Sequence, residues 1–271
     1  MQLIPADQDV EAEPTEEAIE EPPPPEPEPK PEPKPEPEPE PEPEPIGGGS
    51  ALQCVDNLAL VAGTRYLLDY RLTSDGEVYE YTSDNLVVGP RTYEGVAATE
   101  IKALQIMTSP EQVTTEAYNY VGVQGAMSLS YGGTARVEMP GLGSADTKTV
   151  FSPAVRMLYD LSVGQSFSQT YTSTTTMVIP GVPVPMPPTS IEVHERVTFN
   201  GVETVTVPAG SFQACKFTHE DGERVGGQIN YTSSSTNWLA VGSGVPVRHE
   251  NSEGVMELTR GQINGNVIGG N

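Results

Sequence analysis

The sequence is poor in the residues from which most catalytic and metal sites are built. Its 271 residues include two cysteines, three histidines and one tryptophan. It contains no G-x-S-x-G nucleophile elbow, no H-E-x-x-H zinc pair, no phosphate-binding loop and no EF-hand loop. The sequence therefore lacks the motifs by which serine hydrolases of the elbow type, zinc metalloproteases, P-loop nucleotide-binding proteins and EF-hand calcium-binding proteins are recognised. We therefore expect a protein that is not an enzyme and that holds no cofactor and no metal ion.

Basic residues are scarce as well, and the charge is strongly negative. Fourteen Lys and Arg stand against 38 Asp and Glu, which gives a formal net charge of −24. Residues 1–50 hold 16 acids against Lys30 and Lys34, so −14 of this charge lies there and −10 in the remainder. Without a basic stripe, nucleic acid and anionic membrane surfaces are disfavoured partners. No run of about eighteen apolar residues occurs, so no transmembrane helix is predicted.

Proline, by contrast, is abundant and concentrated in one place. Residues 22–45 repeat Pro and Glu almost without interruption. Proline fixes φ and removes a backbone donor, so this segment is expected to form an extended polyproline II arm of roughly 75 Å. The sequence thus predicts a disordered acidic tail over 1–21, a rigid stalk with a Gly-rich hinge over 22–50, and an antiparallel β domain over 51–271.

A stiff stalk of this kind is suited to holding a domain away from an anchor. We therefore predict an exported bacterial protein of the periplasm or the outer cell surface. Met1–Asp7 has neither a basic end nor an apolar centre, so we expect a leader to have been removed upstream of it. In an oxidising compartment, Cys54 and Cys215 suggest a disulfide, and two separate buried thiols are the alternative. The anchor, the oligomeric state and the true N-terminus stay open.

The remainder of the chain alternates like β-strands separated by turns. Thr64–Leu72 has a period of two, and similar segments follow to the end of the chain. Asn200-Gly201 and Asp221-Gly222 are interpreted as hairpin turns, and one short helix is expected within Ser152–Leu161. The predicted fold class is all-β: a single antiparallel, strongly curved sheet that forms an open half-barrel meander, with at most one short helix.

A longer motif lies in the C-terminal half. It consists of VPAGSF at Val207–Phe212, WLAVGSGV at Trp238–Val245 and EL at Glu257–Leu258. This motif resembles the signature of a family of bacterial secreted and periplasmic proteins of uncharacterised function. That family in turn resembles the half-barrel sheets of the LolA-like lipoprotein-handling superfamily. The resemblance implies a clam-shaped sheet and a lipid or a lipoprotein as ligand, although the motif itself also fits a purely structural role.

Five apolar residues are the candidate binding residues. The segment Pro180–Pro188 is both apolar and rich in proline, which predicts a lid or rim, and a plain loop packed on the sheet edge is the alternative. Phe212 is expected to turn inward after the Pro-Ala-Gly corner, and Trp238 offers a large apolar area with one donor. The set is Val182, Val184, Met186, Phe212 and Trp238.

Ionisable residues were weighed as catalytic or metal-binding groups. Each histidine precedes a glutamate, but neighbours in a strand point to opposite faces, so surface histidines are expected rather than a metal site. Glycoside cleavage needs two carboxylates about 5–10 Å apart. Glu192 and Glu203 are predicted to lie on the adjacent strands of the Asn200-Gly201 hairpin, close enough to approach each other. A salt-bridged surface that includes Arg196 is the competing interpretation.

These observations favour a non-enzymatic cell-envelope protein. Its β domain is expected to bind a hydrophobic ligand, such as a lipid or a lipoprotein, or a protein partner in the envelope. A structural component of a surface assembly is the first alternative. A hydrolase of cell-wall glycans is the second, and it has the least support because no convergent acid–base set is visible.

Overall fold

The structure is a computed structural model, and it describes residues 49–55, 60–108, 112–141, 143–181 and 186–269. The predicted tail over 1–21 and almost all of the predicted stalk and hinge lie outside these residues. The predictions for those segments therefore stay predictions. Within the described part, most residues belong to antiparallel strands.

Thirteen strands are found among the described residues, and each pairs with the next along the chain. Their bounds are β1 Arg65–Ser74, β2 Glu77–Tyr93, β3 Val96–Thr108, β4 Val113–Gln124, β5 Met127–Met139, β6 Gly143–Leu158, β7 Ser166–Val178, β8 Thr189–Val207, β9 Gly210–Val225, β10 Gln228–Ala240, β11 Pro246–Asn251, β12 Gly254–Ile263 and β13 Asn266–Val267.

The sheet closes on itself through its first and twelfth strands. β1 pairs antiparallel with β12, from Tyr66 opposite Ile263 to Thr73 opposite Val255. The predicted antiparallel meander is confirmed, but the predicted open half-barrel is wrong, because β1 to β12 form a closed ring. Closure satisfies the backbone donors and acceptors that two free edges would otherwise expose.

The helix expected within Ser152–Leu161 is also wrong. β6 runs through this segment as far as Leu158, and its partner across the sheet is β5. The one helical turn in the described part of the chain is a 3-10 turn at Ala51–Cys54, where the Ser50 hydroxyl accepts from the N–H of Leu52. No helix in this part of the chain combines the length and the apolar character needed to cross a membrane.

Two predicted turns are instead places where a strand continues. Asn200-Gly201 lies inside β8, where the pairing with β9 shifts by one residue and Gly201 has a φ of 110°. A bulge of this kind needs the same left-handed backbone as a hairpin turn, so the two are alike in sequence. Asp221-Gly222 lies inside β9, and the turn follows at Gly226-Gly227. The Pro208-Ala209 corner between β8 and β9 is a turn, as predicted.

The strands β8 and β9 contribute buried residues to two different core clusters. On β9, Phe212 and Ala214 point to one face, and Cys215 and Phe217 point to the other, since successive side chains alternate. All four are buried, and the two pairs belong to different core clusters. The first cluster also contains Leu68, Tyr70 and Leu258 from the closing strands β1 and β12. The central strands are therefore packed against the seam that closes the ring.

A tyrosine from the β2–β3 hairpin holds three further strands together. The ring of Tyr93 stacks on that of Tyr120 in β4, with centroids 4.1 Å apart. Its hydroxyl donates to the carbonyl oxygen of Thr149 in β6, at 2.7 Å. Between these strands, Gly132 in β5 has a φ of 125°, and a Cβ there would collide with the backbone of Thr149. The close approach of β5 and β6 therefore depends on this glycine.

Replacing Gly132 by alanine is expected to destabilise the fold by at least about 3 kcal/mol, because strain at positive φ adds to a collision with backbone. Gly141 is the matched control. It has a φ of 73° and open space where a Cβ would lie, so Gly141→Ala should cost only about 1 kcal/mol. Urea unfolding measures both values. Equal losses for the two variants would contradict the close approach.

The bond between Cys54 and Cys215 is present in the structure and joins residues 161 positions apart, with Cα atoms 5.9 Å apart. It fastens the 3-10 turn to β9, at the core cluster that contains Cys215 and Phe217. Ala51, Cys54 and Leu161 are almost fully buried in that cluster. Two backbone bonds support the same placement. The N–H of Ala51 donates to Leu161 at 2.9 Å, and the N–H of Gly242 donates to Gln53 at 2.9 Å.

Replacing both cysteines by serine is expected to lower the free energy of unfolding by up to about 5 kcal/mol, since the bond closes a very long loop in the unfolded chain. The denaturant midpoint measures the effect. Wild-type protein treated with a reductant should match the variant, whereas the oxidised wild type should be more stable. Equal midpoints for oxidised and reduced protein would show that the bond does not constrain the fold.

Candidate functional site

The main candidate site is a pocket of about 700 Å³, which we call the apolar pocket. One wall comes from Leu52 and Val55, at the 3-10 turn, and from Leu60 and Val61, which lie closer to β1. The other wall comes from β3, β4 and the β4–β5 turn. Its apolar lining consists of Leu52, Val55, Leu60, Val61, Ile101, Val121, Val123, Ala126 and Met127. Both the volume and the lining are typical of sites that bind small apolar ligands.

The rim of the apolar pocket is itself apolar and open to solvent. Leu52 is 52% exposed, Val61 49% and Val123 62%, and Val55 beside them is 39% exposed. Single exposed apolar side chains are ordinary, but neighbours gathered around one opening form a patch. Such a patch marks a surface that contacts an apolar ligand or partner.

Two smaller pockets adjoin the apolar pocket. The first, of about 330 Å³, is lined by Tyr66, Asn85, Asn119 and Ser243 among others, and we call it the Tyr66 pocket. The second, of about 280 Å³, is lined by Met157, Phe217, His219 and Leu239 among others, and we call it the His219 pocket. Tyr159 borders all three pockets. Its largely buried phenol has a raised pKa because burial disfavours the phenolate.

A polar cluster lies at one side of the His219 pocket. Oε1 of Glu195 is 2.7 Å from Nδ1 of His219, and Nε2 of Gln169 donates to the other carboxylate oxygen at 2.6 Å. The Gln169 side chain also bonds both the N–H and the carbonyl of Arg156, each at 2.9 Å. It thereby takes the place of a neighbouring strand where the pairing of β6 with β7 has ended. The side chains of Glu195 and Gln169 thus find their hydrogen-bond partners within the protein.

The electrostatics of this cluster follow from partial burial and from its two carboxylates. Desolvation and the nearby charge of Glu195 raise the pKa of Asp221, which lies opposite Glu195 on β9. Burial and these two carboxylates raise the pKa of Tyr171 to about 12. Burial and the charge of His219 lower the pKa of His249. The arrangement keeps Tyr171 a neutral phenol at neutral pH, and it favours the neutral form of His249.

Of the five residues predicted to bind ligand, Val182 and Val184 lie outside the described residues. The other three do not line the apolar pocket. Met186 is 49% exposed, and it is not among the residues that line the three pockets. Phe212 and Trp238 are buried in the cluster at the seam. Their roles in binding stay predictions.

Trp238 has a well-defined polar environment. Its Nε1 donates to Oε1 of Glu203 at 2.5 Å. Two cations approach its ring: Nζ of Lys216 at 5.4 Å and the guanidinium of Arg248 at 5.2 Å from the centroid. These residues lie directly opposite Trp238 on β9 and β11. The contacts hold three adjacent strands in register, which is a structural contribution.

Sequence reasoning missed the residues that line the apolar pocket. A signal was present, because Leu52, Val55, Leu60 and Val61 are apolar but lie before the first alternating strand. An apolar segment without strand periodicity needs a surface to pack against. The contribution of β4 was harder to see, since Val121 and Val123 alternate like any half-buried strand.

The carboxylate pair considered for glycan hydrolysis is not formed by a hairpin. Glu192 and Glu203 both lie on β8, so their expected placement on adjacent strands is wrong. Glu192 contacts His194 at 2.8 Å and Arg224 at 3.3 Å. Glu203 contacts Trp238 and Lys216 instead. Each carboxylate is thus engaged in a separate set of contacts.

The three histidines are divided between two faces of the sheet. His194 is adjacent to Glu195 on β8 and therefore points to the opposite face from the side chain that His219 contacts. His249 contacts Asn237 through Nδ1 at 2.8 Å. Within the described ranges, no group of three or more His, Cys, Asp or Glu residues has a geometry that could hold a metal ion.

The lowered pKa of His249 predicts a loss of stability in acid. Above its ordinary value of 6.5 the residue is neutral in both states. As the pH falls through that value the unfolded chain takes up a proton that the folded chain resists, so stability decreases. His249→Gln keeps a partner for Asn237 and should flatten this decrease. Urea midpoints at about pH 7.5 and about pH 5.5 test it, and equal pH dependence in the two proteins would contradict it.

Comparison with known proteins places the chain in a family. No curated protein matches it. A Bacteroides fragilis structure, described as a candidate exported protein with a YmcC-like fold, aligns at 14% identity with a TM-score of 0.32, covering 74% of this chain and 96% of the other. Residues 93–261, which include the VPAGSF and WLAVGSGV motifs, match the DUF3108-like family model. Since this match spans more than half of the sequence, the chain belongs to the DUF3108-like family.

Proposed function

We propose that this protein is a non-enzymatic, exported protein of the bacterial cell envelope that binds a hydrophobic ligand in the apolar pocket. The observation that carries the proposal is the exposed apolar rim around a pocket of about 700 Å³. Covering this rim with an apolar ligand removes it from water at a gain of roughly 25 cal/mol per Å². Charged or sugar-like ligands gain little from such a lining.

The ligand we favour is the acyl chain of a lipid or of a lipoprotein. Among the described residues that line the apolar pocket none is charged, and Ser128 and Tyr159 are the two with a polar side-chain group. A long hydrocarbon chain needs no hydrogen-bond partners, so it suits such walls better than a peptide.

The non-enzymatic character is supported by the way the ionisable groups are used. Glu195 bonds both His219 and Gln169, and the thiol of Cys215 is taken up in the bond to Cys54. Export is supported by that disulfide, because such bonds persist in oxidising compartments. The acidic Pro-Glu segment is consistent with a spacer between the domain and an envelope anchor.

A charge placed on the rim is expected to weaken ligand binding. Val123→Asp removes an apolar contact and brings a carboxylate against the hydrocarbon, so the dissociation constant for dodecanoate should rise by about tenfold or more. Val225→Asp is the matched control. Val225 is 56% exposed, close to the 62% of Val123, but it lies at the end of β9 and lines none of the three pockets.

Calorimetric titration with dodecanoate measures both variants, and circular dichroism checks that they are folded. Binding by the wild type, weakened by Val123→Asp and unchanged by Val225→Asp, supports the proposal. Equal weakening by both variants would place the ligand elsewhere. A wild-type protein that binds no fatty acid but self-associates with increasing concentration would favour the surface-assembly alternative over ligand binding.

A further inference from the structure

We propose that Tyr159 limits the length of the chain that the protein can hold, by separating the apolar pocket from the His219 pocket. This inference rests on the proposed function, since it concerns the same site and a hydrocarbon ligand. It assigns to Tyr159 a role in specificity, acting as the end wall of the site. It also names the ligand class more narrowly, as an unbranched acyl or alkyl chain that enters from the exposed rim.

The first argument is the position of Tyr159. The apolar pocket and the His219 pocket share Tyr159, Val121 and Ser128 in their linings. The two pockets therefore meet at these three side chains, of which the tyrosine is the largest. The His219 pocket adds about 280 Å³ beyond the 700 Å³ of the apolar pocket. Removing the phenol ring would join the two volumes into one longer site.

The second argument is that Tyr159 is held in place. Its N–H donates to the carbonyl of Ala126 at 2.8 Å, and its carbonyl accepts from the Ser50 hydroxyl at 3.4 Å. Its ring meets Phe217 edge to face, with centroids 6.4 Å apart. A largely buried side chain whose backbone is bonded on both sides and whose ring packs on Phe217 acts as a fixed wall rather than as a flexible filler.

The third argument is the chemistry on the far side of this wall. The His219 pocket is lined by Val155, Met157, Phe217 and Leu239 together with its polar residues. The Tyr66 pocket, which also borders Tyr159, presents the amides of Asn85 and Asn119 and the hydroxyl of Ser243. A hydrocarbon chain that passed Tyr159 into the His219 pocket would gain these apolar contacts. The polar groups there already have partners, since Glu195 bonds His219 and Asn237 bonds His249, so the chain would not deprive them of hydrogen bonds. In the Tyr66 pocket the chain would instead lie against the amides and the hydroxyl. The His219 pocket is the favourable extension.

The test is a titration of full-length protein with saturated fatty acids from octanoate to stearate, each below its micelle concentration. Each further buried methylene should tighten binding about fourfold until the chain reaches the wall, after which the gain should stop. In Tyr159→Ala the gain should continue to longer chains. Tyr159→Phe keeps the ring and loses only the hydroxyl, so its limiting chain length should equal that of the wild type.

Two further variants keep the test decisive. Tyr159→Leu retains apolar contact with Phe217 and should shift the limiting length in the same direction as alanine, even where the alanine variant is unstable. Tyr79→Ala is the matched control, because Tyr79 lies beside the β1–β2 turn, bonds Glu77, and lines none of the three pockets. It should leave the limiting length unchanged.

The outcomes separate this inference from the proposed function. Wild-type protein that binds none of the fatty acids overturns both. Wild-type protein that binds them, with a limiting length that is the same in the folded Tyr159→Leu variant, leaves lipid binding standing and overturns the role of Tyr159. A shift to longer chains in Tyr159→Leu or Tyr159→Ala, absent in Tyr159→Phe and Tyr79→Ala, establishes it.

Discussion

The pairing of β1 with β12 is the constraint on which the rest of the structure depends. Twelve strands in chain order form a simple meander, and an open meander of this size would expose two long edges. Closing the ring removes both edges and brings Leu68, Tyr70 and Leu258 from the two ends into one buried cluster. The closed ring also fixes the curvature at which β3, β4 and β5 face the segment before β1, and the apolar pocket lies at that junction.

The second determinant is a covalent one. The described residues before β1 form a 3-10 turn but no strand of the ring. The Cys54–Cys215 bond ties this segment to β9, the buried Ala51 and Leu161 extend that attachment, and backbone hydrogen bonds to Leu161 and from Gly242 support it. This wall of the apolar pocket is therefore held by one covalent bond, a few hydrogen bonds and packing, whereas the other wall belongs to the ring. The redox state of the compartment thus bears on the site as well as on stability.

The local parts of this fold were readable from the sequence, and the non-local parts were not. Alternation along Thr64–Leu72 and the corner at Pro208-Ala209 predicted strands and a turn, because each depends on neighbouring residues alone. The pairing of Tyr66 with Ile263 joins the two ends of the domain, and no local pattern encodes it. Asn200-Gly201 has the same sequence whether it makes a turn or a bulge, and only the partner strand decides between them.

The candidate site shows the same division. The apolar residues before β1 were visible, but the strands that complete the pocket come from elsewhere in the ring. The side chain of Gln169 replaces a strand partner for the backbone of Arg156, because the pairing of β6 with β7 has ended there. Nothing in the local Thr-rich sequence indicates this role, since it depends on where two strands stop pairing. The motif residues Phe212 and Trp238 were the most visible in the sequence because they build the core, and core residues follow strong patterns.

The uneven distribution of buried residues between the strands determines where the barrel opens locally. β8 contains seven fully buried residues, whereas β4, β5, β6 and β7 show one each. Local opening needs least free energy where few side chains are buried, so amide hydrogens of β4 to β7 should exchange with solvent well before those of β8 and β9. The apolar pocket borders this looser side. On this side the barrel can open locally while the well-packed strands β8 and β9 keep the molecule folded.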